Sequence, residues 1–381
     1  MLSEGQVQSN RARFPIFRSK IYLNSCSQGA LCEPVEAALQ DHMRSWHAGG
    51  SPWDHWVERY EAARVSFARF IGAKPDEVAI VSCASAAISS IASALDFNDR
   101  PKIVMGEFEF PTMGQIWLAQ QSRGAQIQFL NSENGRIDPA AYAKAVDRQT
   151  LIVPIAHICF MNGFRADVKG IVKVARENGA LAMLDDYQDA GTRPIDVKAL
   201  DLDFYVSGAL KYLLSPSGIA FMYVRPELIE KLTPTITGWF GQRDPFAFDV
   251  KHFLPAGNAR RFESGSPPVP QAYAVQAALE LLGGIGYENI AGHVAGLVQA
   301  LLKGARDLKI RTKTPADSRG PLVVLQMKDV DAMVSRLAEQ QIVVSRRMDG
   351  LRISFHVYNT LDDVKTVLSV LEKNANLAVR D

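Results

Sequence analysis

The chain has 381 residues, 47% apolar and 22% charged, with 42 Lys+Arg against 41 Asp+Glu for a formal net charge of +1. That length allows two or three domains around a large buried core, and the near-neutral balance supplies no overall basic field for nucleic acid. The four cysteines, Cys26, Cys32, Cys83 and Cys159, never form a Cys-x-x-Cys pair, which argues against a structural zinc site or a disulfide-dense secreted scaffold.

Residues 1–20 read as an N-terminal arm, and their opening MLSEGQVQSNRARF lacks the apolar stretch of a signal peptide. No window approaches 18 uninterrupted apolar residues, so the expectation is a soluble, cytoplasmic protein with no membrane partner. The segment IYLNSCSQGALCEPV (21–35) reads as a strand and a turn. EVAIVSCASAAISSIASAL (77–95) reads as a strand, a turn of small residues and an amphipathic helix. Free N–H groups and the helix dipole suit such a start to a phosphate, and the small Ser85 and Ala86 allow close approach. Taken alone, it is also an ordinary helix start.

Strand-like runs occupy Val78–Val81, Lys102–Met105, Ile127–Leu130, Leu151–Ile155, Leu181–Leu184, Phe204–Val206 and Ile219–Val224. Helical patterns fall between several of them, at Pro139–Val146 and Val168–Asn178, the second stopping on Gly179. Strands alternating with helices predict an α/β fold, a mostly parallel sheet covered on both faces. From Thr233 to Pro270 the rhythm breaks into prolines, glycines and aromatics, the composition of an ordered functional loop rather than a linker. Beyond a helix at Gln271–Leu282, strands at Leu322–Met327, Ile342–Val344 and Leu351–Phe355 and helices at Val330–Glu339 and Leu361–Asn374 predict a smaller α+β unit. The division expected is a large domain over 21–265 and a small C-terminal one over 266–381.

The chemistry concentrates in LAMLDDYQDAGTRPIDVKALDLDFYVSGALKYLLSPSGIAFMYV (181–224). One buried strand ends in Asp185, with Gln188 three residues on. The next leads through Ser207 into Lys211. In open parallel sheets ligands sit outside the carboxyl ends of the strands, which brings Asp185 and Lys211 to one edge. A partly buried lysine can form a Schiff base with a carbonyl, and a carboxylate beside a pyridinium nitrogen strengthens pyridoxal phosphate as an electron sink. Singly, such an Asp is more often a loop cap or a surface charge, and such a Lys is usually a solvated one.

The segment resembles the active-site region of the fold-type-I pyridoxal-phosphate enzymes, in the class V aminotransferase family and its kynureninase and isopenicillin-N-epimerase-like branch. The resemblance implies a seven-stranded, mostly parallel large domain and pyridoxal 5'-phosphate as cofactor. It further implies that Lys211 carries the cofactor as a Schiff base, that Asp185 pairs with the pyridine nitrogen, and that Gln188 approaches the phenolic oxygen. Asn24 lies in the family's substrate-facing N-terminal loop, and Ser85, Ala86 and Ser207 match phosphate-side positions. Phe110, in Phe110-Pro111-Thr112, matches a residue that stacks on the ring, with core packing as the competing reading. In AHICFMNGF (156–164), Phe160 stands where desulfurases often have Asn, and His157 reads either as site-lining or as a core histidine.

TGWFGQ (237–242) with Trp239 and RFESGSPP (261–268) with Ser266 resemble subunit-bridging elements, which implies a homodimer with shared sites. Arg352, in GLRISFHVYNT (350–360), matches the arginine that binds the substrate α-carboxylate; as an isolated strand arginine it would be a surface ion-pair partner. The expected activity is transfer of an amino group from a small amino acid to a keto acid. A kynureninase-like hydrolase, a carbon–sulfur lyase or an epimerase is the alternative on the same scaffold. No cysteine follows Cys159, which leads to the expectation that the protein is not a persulfide-forming cysteine desulfurase.

Overall fold

Strands buried on both faces read as continuous apolar runs, because helices cover each side of a parallel sheet. The computed structural model describes residues 2–381. Its strands are β1 (Ile21–Tyr22), β2 (Val78–Val81), β3 (Lys102–Gly106), β4 (Gln126–Leu130), β5 (Thr150–Ala156), β6 (Leu181–Asp185), β7 (Phe204–Gly208), β8 (Ala220–Val224), β9 (Leu322–Gln326), β10 (Ile342–Val343), β11 (Ser345–Arg347) and β12 (Gly350–Ser354). Seven form one sheet in the order β2-β8-β7-β6-β5-β3-β4. Only β8 runs against its neighbours in this sheet, so the carboxyl ends of β5, β6 and β7 point the same way. The fold is that of the α/β, fold-type-I expectation. Strands β7 and β8 are buried throughout and β5 and β6 nearly so, whereas edge strand β4 is mostly exposed.

Helices form where side chains find a face to bury. Val168–Glu177 buries Val168, Ile171, Val172 and Ala175, a spacing of one helical stripe, and the Asp167 carboxylate caps its start by accepting from Gly170 N at 3.0 Å. Helices Glu33–Gly49, Trp53–Phe70 and Tyr287–Asp307 were not anticipated. In Trp53–Phe70 the buried stripe is Trp56, Tyr60, Ala63, Arg64, Phe67 and Ala68. Aromatics, alanines and an arginine mask the aliphatic period that marks a helix in sequence.

Strands β11-β12-β9 make a separate antiparallel sheet. Strand β1 pairs in parallel with β10, Ile21 opposite Ile342. The N-terminal loop after β1 is therefore held beside the C-terminal hairpin. The 233–270 segment is ordered around three short 3₁₀ turns. Glu263 anchors it, pairing with buried Arg64 and accepting from Tyr60 Oη and Ile80 N, each at 2.9 Å. Among the described residues no helix is long and apolar enough to cross a membrane.

Candidate active site

A cavity of about 320 Å³ opens at the carboxyl ends of β5, β6 and β7. Register sets Ala156 at the end of β5 opposite Asp185 at the end of β6. Lys211 follows β7 by three residues. Two glycines allow this convergence. A Cβ at Gly208 would overlap the Tyr187 ring, and one at Gly29 would overlap the Lys211 carbonyl oxygen. Gly29 N donates to Leu210 O at 2.8 Å, docking the N-terminal loop onto the lysine loop and placing Cys26 and Ser27 in the cavity wall.

The Lys211 ammonium lies 4.2 Å from the Tyr187 ring centroid and 5.7 Å from that of Phe110. Among the described residues it has no carboxylate within 4.0 Å. Burial pushes its pKa down to about 8, with Asp185 pulling the other way. Burial raises Asp185, offset by the Tyr187 N–H that donates to Oδ1 at 3.0 Å and by Lys211. Behind Asp185 stands Glu109, whose Oε1 accepts from Ala156 N at 2.7 Å while Oε2 is buried without a partner. Burial and the neighbouring Asp185 push Glu109 up to about 8.

Gln188 Nε2 donates to the Cys26 carbonyl at 3.2 Å, and its Oε1 is buried without a donor. Helix Ala84–Ala94 begins at the cavity with no side-chain cap from Cys83, so its first-turn N–H groups lack a side-chain acceptor. Ser85 Oγ donates to Thr112 Oγ1 at 3.3 Å. Arg352 is fully buried, and its donors meet only neutral groups: Ser345 Oγ at 3.0 and 3.1 Å, Ser27 Oγ at 2.8 Å and Phe160 O at 3.2 Å. Phe160 meets Phe110 edge-on at 5.1 Å between centroids.

The cavity therefore gathers Ser85, Phe110, Asp185, Gln188, Lys211 and Arg352. Other expected residues lie outside its wall. Strand β7 runs on to Gly208, so Ser207 is still in the strand, fully buried, with Oγ donating to Gly208 O at 3.0 Å. The Asn24 carbonyl accepts from Ser27 N and Gln28 N and turns the loop. Ala86 sits half-buried in the first helical turn. Ser266 is exposed, and Trp239 lines a separate groove with Phe248 and Val250. His157 takes the core reading, buried against Asp186.

Sequence reasoning missed Cys26, Glu109, Thr112, Tyr187 and Arg347, all at or beside the cavity. Glu109 carried a usable signal, a carboxylate just past the carboxyl end of a predicted strand, the logic that singled out Asp185. Arg347 carried none, because an Arg-Arg pair near a turn looks like a solvated surface.

The family model described as Aminotransferase class-V matches residues 21–367. The chain is 33% identical over 356 residues to the uncharacterized aminotransferase YcbU of Bacillus subtilis (strain 168), covering 93% of this chain and 94% of that one. It is 28% identical to a probable cysteine desulfurase of Streptomyces coelicolor, over 97% of each chain. The fold superposes with a TM-score of 0.88 on the apo cysteine desulfurase of Thermococcus onnurineus NA1, at 23% identity over 96% of this chain and 97% of that one.

These likenesses overturn the exclusion of cysteine desulfurases. The physical reason is that order along the chain does not decide which thiol reaches the cavity. Cys26, far upstream of Lys211, is folded into the same wall as Lys211 and Arg352.

The residues fit pyridoxal phosphate. Lys211 offers an amine of lowered pKa to an aldehyde, and Asp185 a carboxylate to a pyridine nitrogen. The uncapped helix start with Ser85 and Thr112 suits a phosphate. The orphaned Gln188 Oε1 marks a polar group still lacking its partner.

Proposed function

The chain belongs to the class V aminotransferase family, whose cofactor is pyridoxal phosphate, and on that premise we propose that it transfers an amino group between a small amino acid and a keto acid. The observation that carries this reading is a mostly buried lysine with lowered pKa, sharing one cavity with Asp185 and with an arginine that has no counter-ion. Bound pyridoxal phosphate supplies an electron sink for charge left at the substrate's α-carbon.

Lys211 would hold the cofactor through Nζ, and its amine would serve as the general base for the α-proton. Asp185 would keep the proton on the pyridine nitrogen, Gln188 would offer its side chain to the phenolic oxygen, and Phe110 would pack against the ring. The start of helix Ala84–Ala94, with Ser85 and Thr112, holds the phosphate. Arg352 receives the α-carboxylate through its planar fork, exchanging neutral partners for a charged one. The apolar side chains of Phe248 and Val250, 72% and 94% exposed, support a second copy of the chain as their cover.

The test is to mix holoenzyme with a panel of amino acids and follow the visible cofactor band together with the released products. Conversion to the pyridoxamine form with release of a keto acid is the expected result. A second reading, cysteine desulfuration, is favoured by one observation, the Cys26 thiol in the cavity wall beside Lys211 and Arg352. Alanine and a protein-bound persulfide formed from cysteine, with no pyridoxamine form, would replace the first reading by the second.

A further inference from the structure

We propose that the cavity selects a dicarboxylic amino acid, with Arg347 reading the side-chain carboxylate. This rests on the reading above, in which Arg352 takes the α-carboxylate. In the hairpin β11–β12, Ser345 lies opposite Arg352 and Arg347 opposite Gly350. Arg347 is two residues from Ser345, so it shares a face with Arg352. It is its diagonal neighbour across the hairpin, at the ~7–8 Å typical of such pairs. Both residues line the cavity, Arg352 fully buried and Arg347 exposed to solvent.

Among the described residues neither has a counter-ion. No carboxylate among them lies within 4.0 Å of Arg347, whose guanidinium makes one hydrogen bond there, from Nη1 to the Arg346 carbonyl at 2.8 Å. The adjacent Arg346, on the opposite face, pairs with Asp331 at 2.7 Å. Carboxylates are not scarce, with 41 Asp+Glu in the chain against 42 Lys+Arg. Two like charges on one face of a strand pair repel. Burial and repulsion from Arg352 both hold the Arg347 guanidinium below its usual pKa, and the two arginines also weigh on Lys211.

Among the described residues the cavity wall holds one carboxylate, Asp185 at the end of β6, and it pairs with neither arginine. Once an α-carboxylate has met Arg352, Arg347 remains an uncompensated cation against the same space. A substrate with one carboxylate leaves that charge unanswered, whereas a second carboxylate on the side chain completes it. The recognised class is then an amino acid with a short acidic side chain, together with the matching dicarboxylic keto acid.

Isothermal titration calorimetry of the holoenzyme with succinate, glutarate and propionate tests this, because none carries an amino group to react. At least one dicarboxylate should bind about tenfold or more tighter than propionate. Arg347→Gln should remove that preference while leaving propionate within about twofold, and Arg352→Gln should weaken all three acids. Melting curves establish that each variant is folded. Equal affinities in the unaltered protein, or a preference that survives Arg347→Gln, would overturn the assignment. If the preference holds but the holoenzyme releases sulfide and transfers no amino group, Arg347 keeps its role and the proposed reaction falls.

Discussion

Two buried clusters of charge lie side by side at the ends of β5 and β6, and they differ in how completely the protein satisfies them. In one, His157 Nδ1 lies 2.5 Å from Asp186 Oδ1, and Tyr205 Oη donates to Asp186 Oδ2 at 2.8 Å. Arg165 reaches Asp189 Oδ2 at 3.3 Å, and Thr192 Oγ1 donates to Asp189 Oδ1. Every carboxylate oxygen is met. Burial alone would raise Asp189, but Arg165 and His157 outweigh it and hold the group below the usual carboxylate range. In the other cluster, Lys211 and Arg352 have no carboxylate partner, and Gln188 Oε1 and Glu109 Oε2 have no hydrogen-bond partner among the described residues. A cluster completed by its own chain holds the fold. One left incomplete waits for a ligand.

The sharpest way to break this contrast is Lys211→Ala. The variant should fold, lose the visible band of the bound cofactor, and lose activity by ~10²–10⁴-fold or more. A visible spectrum matching the unaltered protein would remove Lys211 from its place. The pH dependence sharpens the same point. A neutral amine is needed to capture an aldehyde, and the Lys211 pKa of about 8 puts that form in the majority above this pH. Capture of pyridoxal phosphate by apoprotein should therefore rise from pH 6, pass its midpoint near pH 8 and level off about one to two units above it. A rate still climbing beyond pH 10 would describe a solvated lysine.

Asp186→Asn attacks the completed cluster. It disturbs the two buried hydrogen bonds that Asp186 makes with His157 Nδ1 and Tyr205 Oη, and should cost ~1–3 kcal/mol of stability, the range for leaving a buried polar group unsatisfied. The neighbouring Asp185→Asn should leave the melting temperature nearly unchanged and lower turnover instead. Equal melting losses in the two variants, measured by calorimetry, would erase the distinction between the clusters.

Arg352→Lys comes next. A lysine keeps the charge but not the fork, and charge-assisted hydrogen bonds are worth ~1.5–3 kcal/mol, so KM should rise about 10- to 100-fold while kcat changes less. A saturation curve that does not move would return Arg352 to a structural role.

The sheet was legible because both faces are covered, so its strands are continuous apolar runs with ends readable to within two residues, as at Val78–Val81 and Leu181–Asp185. The convergence of Asp185 and Lys211 on one cavity was legible because a parallel sheet collects such residues at one edge, whereas Gln188 was singled out by the family resemblance. The helix Trp53–Phe70 was not, since its buried stripe includes Arg64, whose partner Glu263 is remote in sequence. Cys26 and Arg347 escaped for a related reason. Their approach to the cavity depends on the pairing of β1 with β10 and on hairpin register, neither of which is written locally.

Glu109 gives the smallest and most specific test. Its pKa is raised from 4.5 to about 8 in the folded chain, by burial first and then by Asp185. In the unfolded chain it ionises near 4.5, so between these values the unfolded state binds fewer protons, and the folded state loses stability as pH rises. Glu109→Gln keeps the acceptor for Ala156 N and cannot ionise. Relative to the unaltered protein it should match stability near pH 4 and gain steadily towards pH 8. By then the gain should be at least about 1.4 kcal/mol, the equivalent of one pH unit. Denaturant titrations at several pH values measure this difference directly. A difference that stays flat with pH would mean that Glu109 ionises like an exposed acid, and that the incomplete cluster reaches no further than the cavity wall.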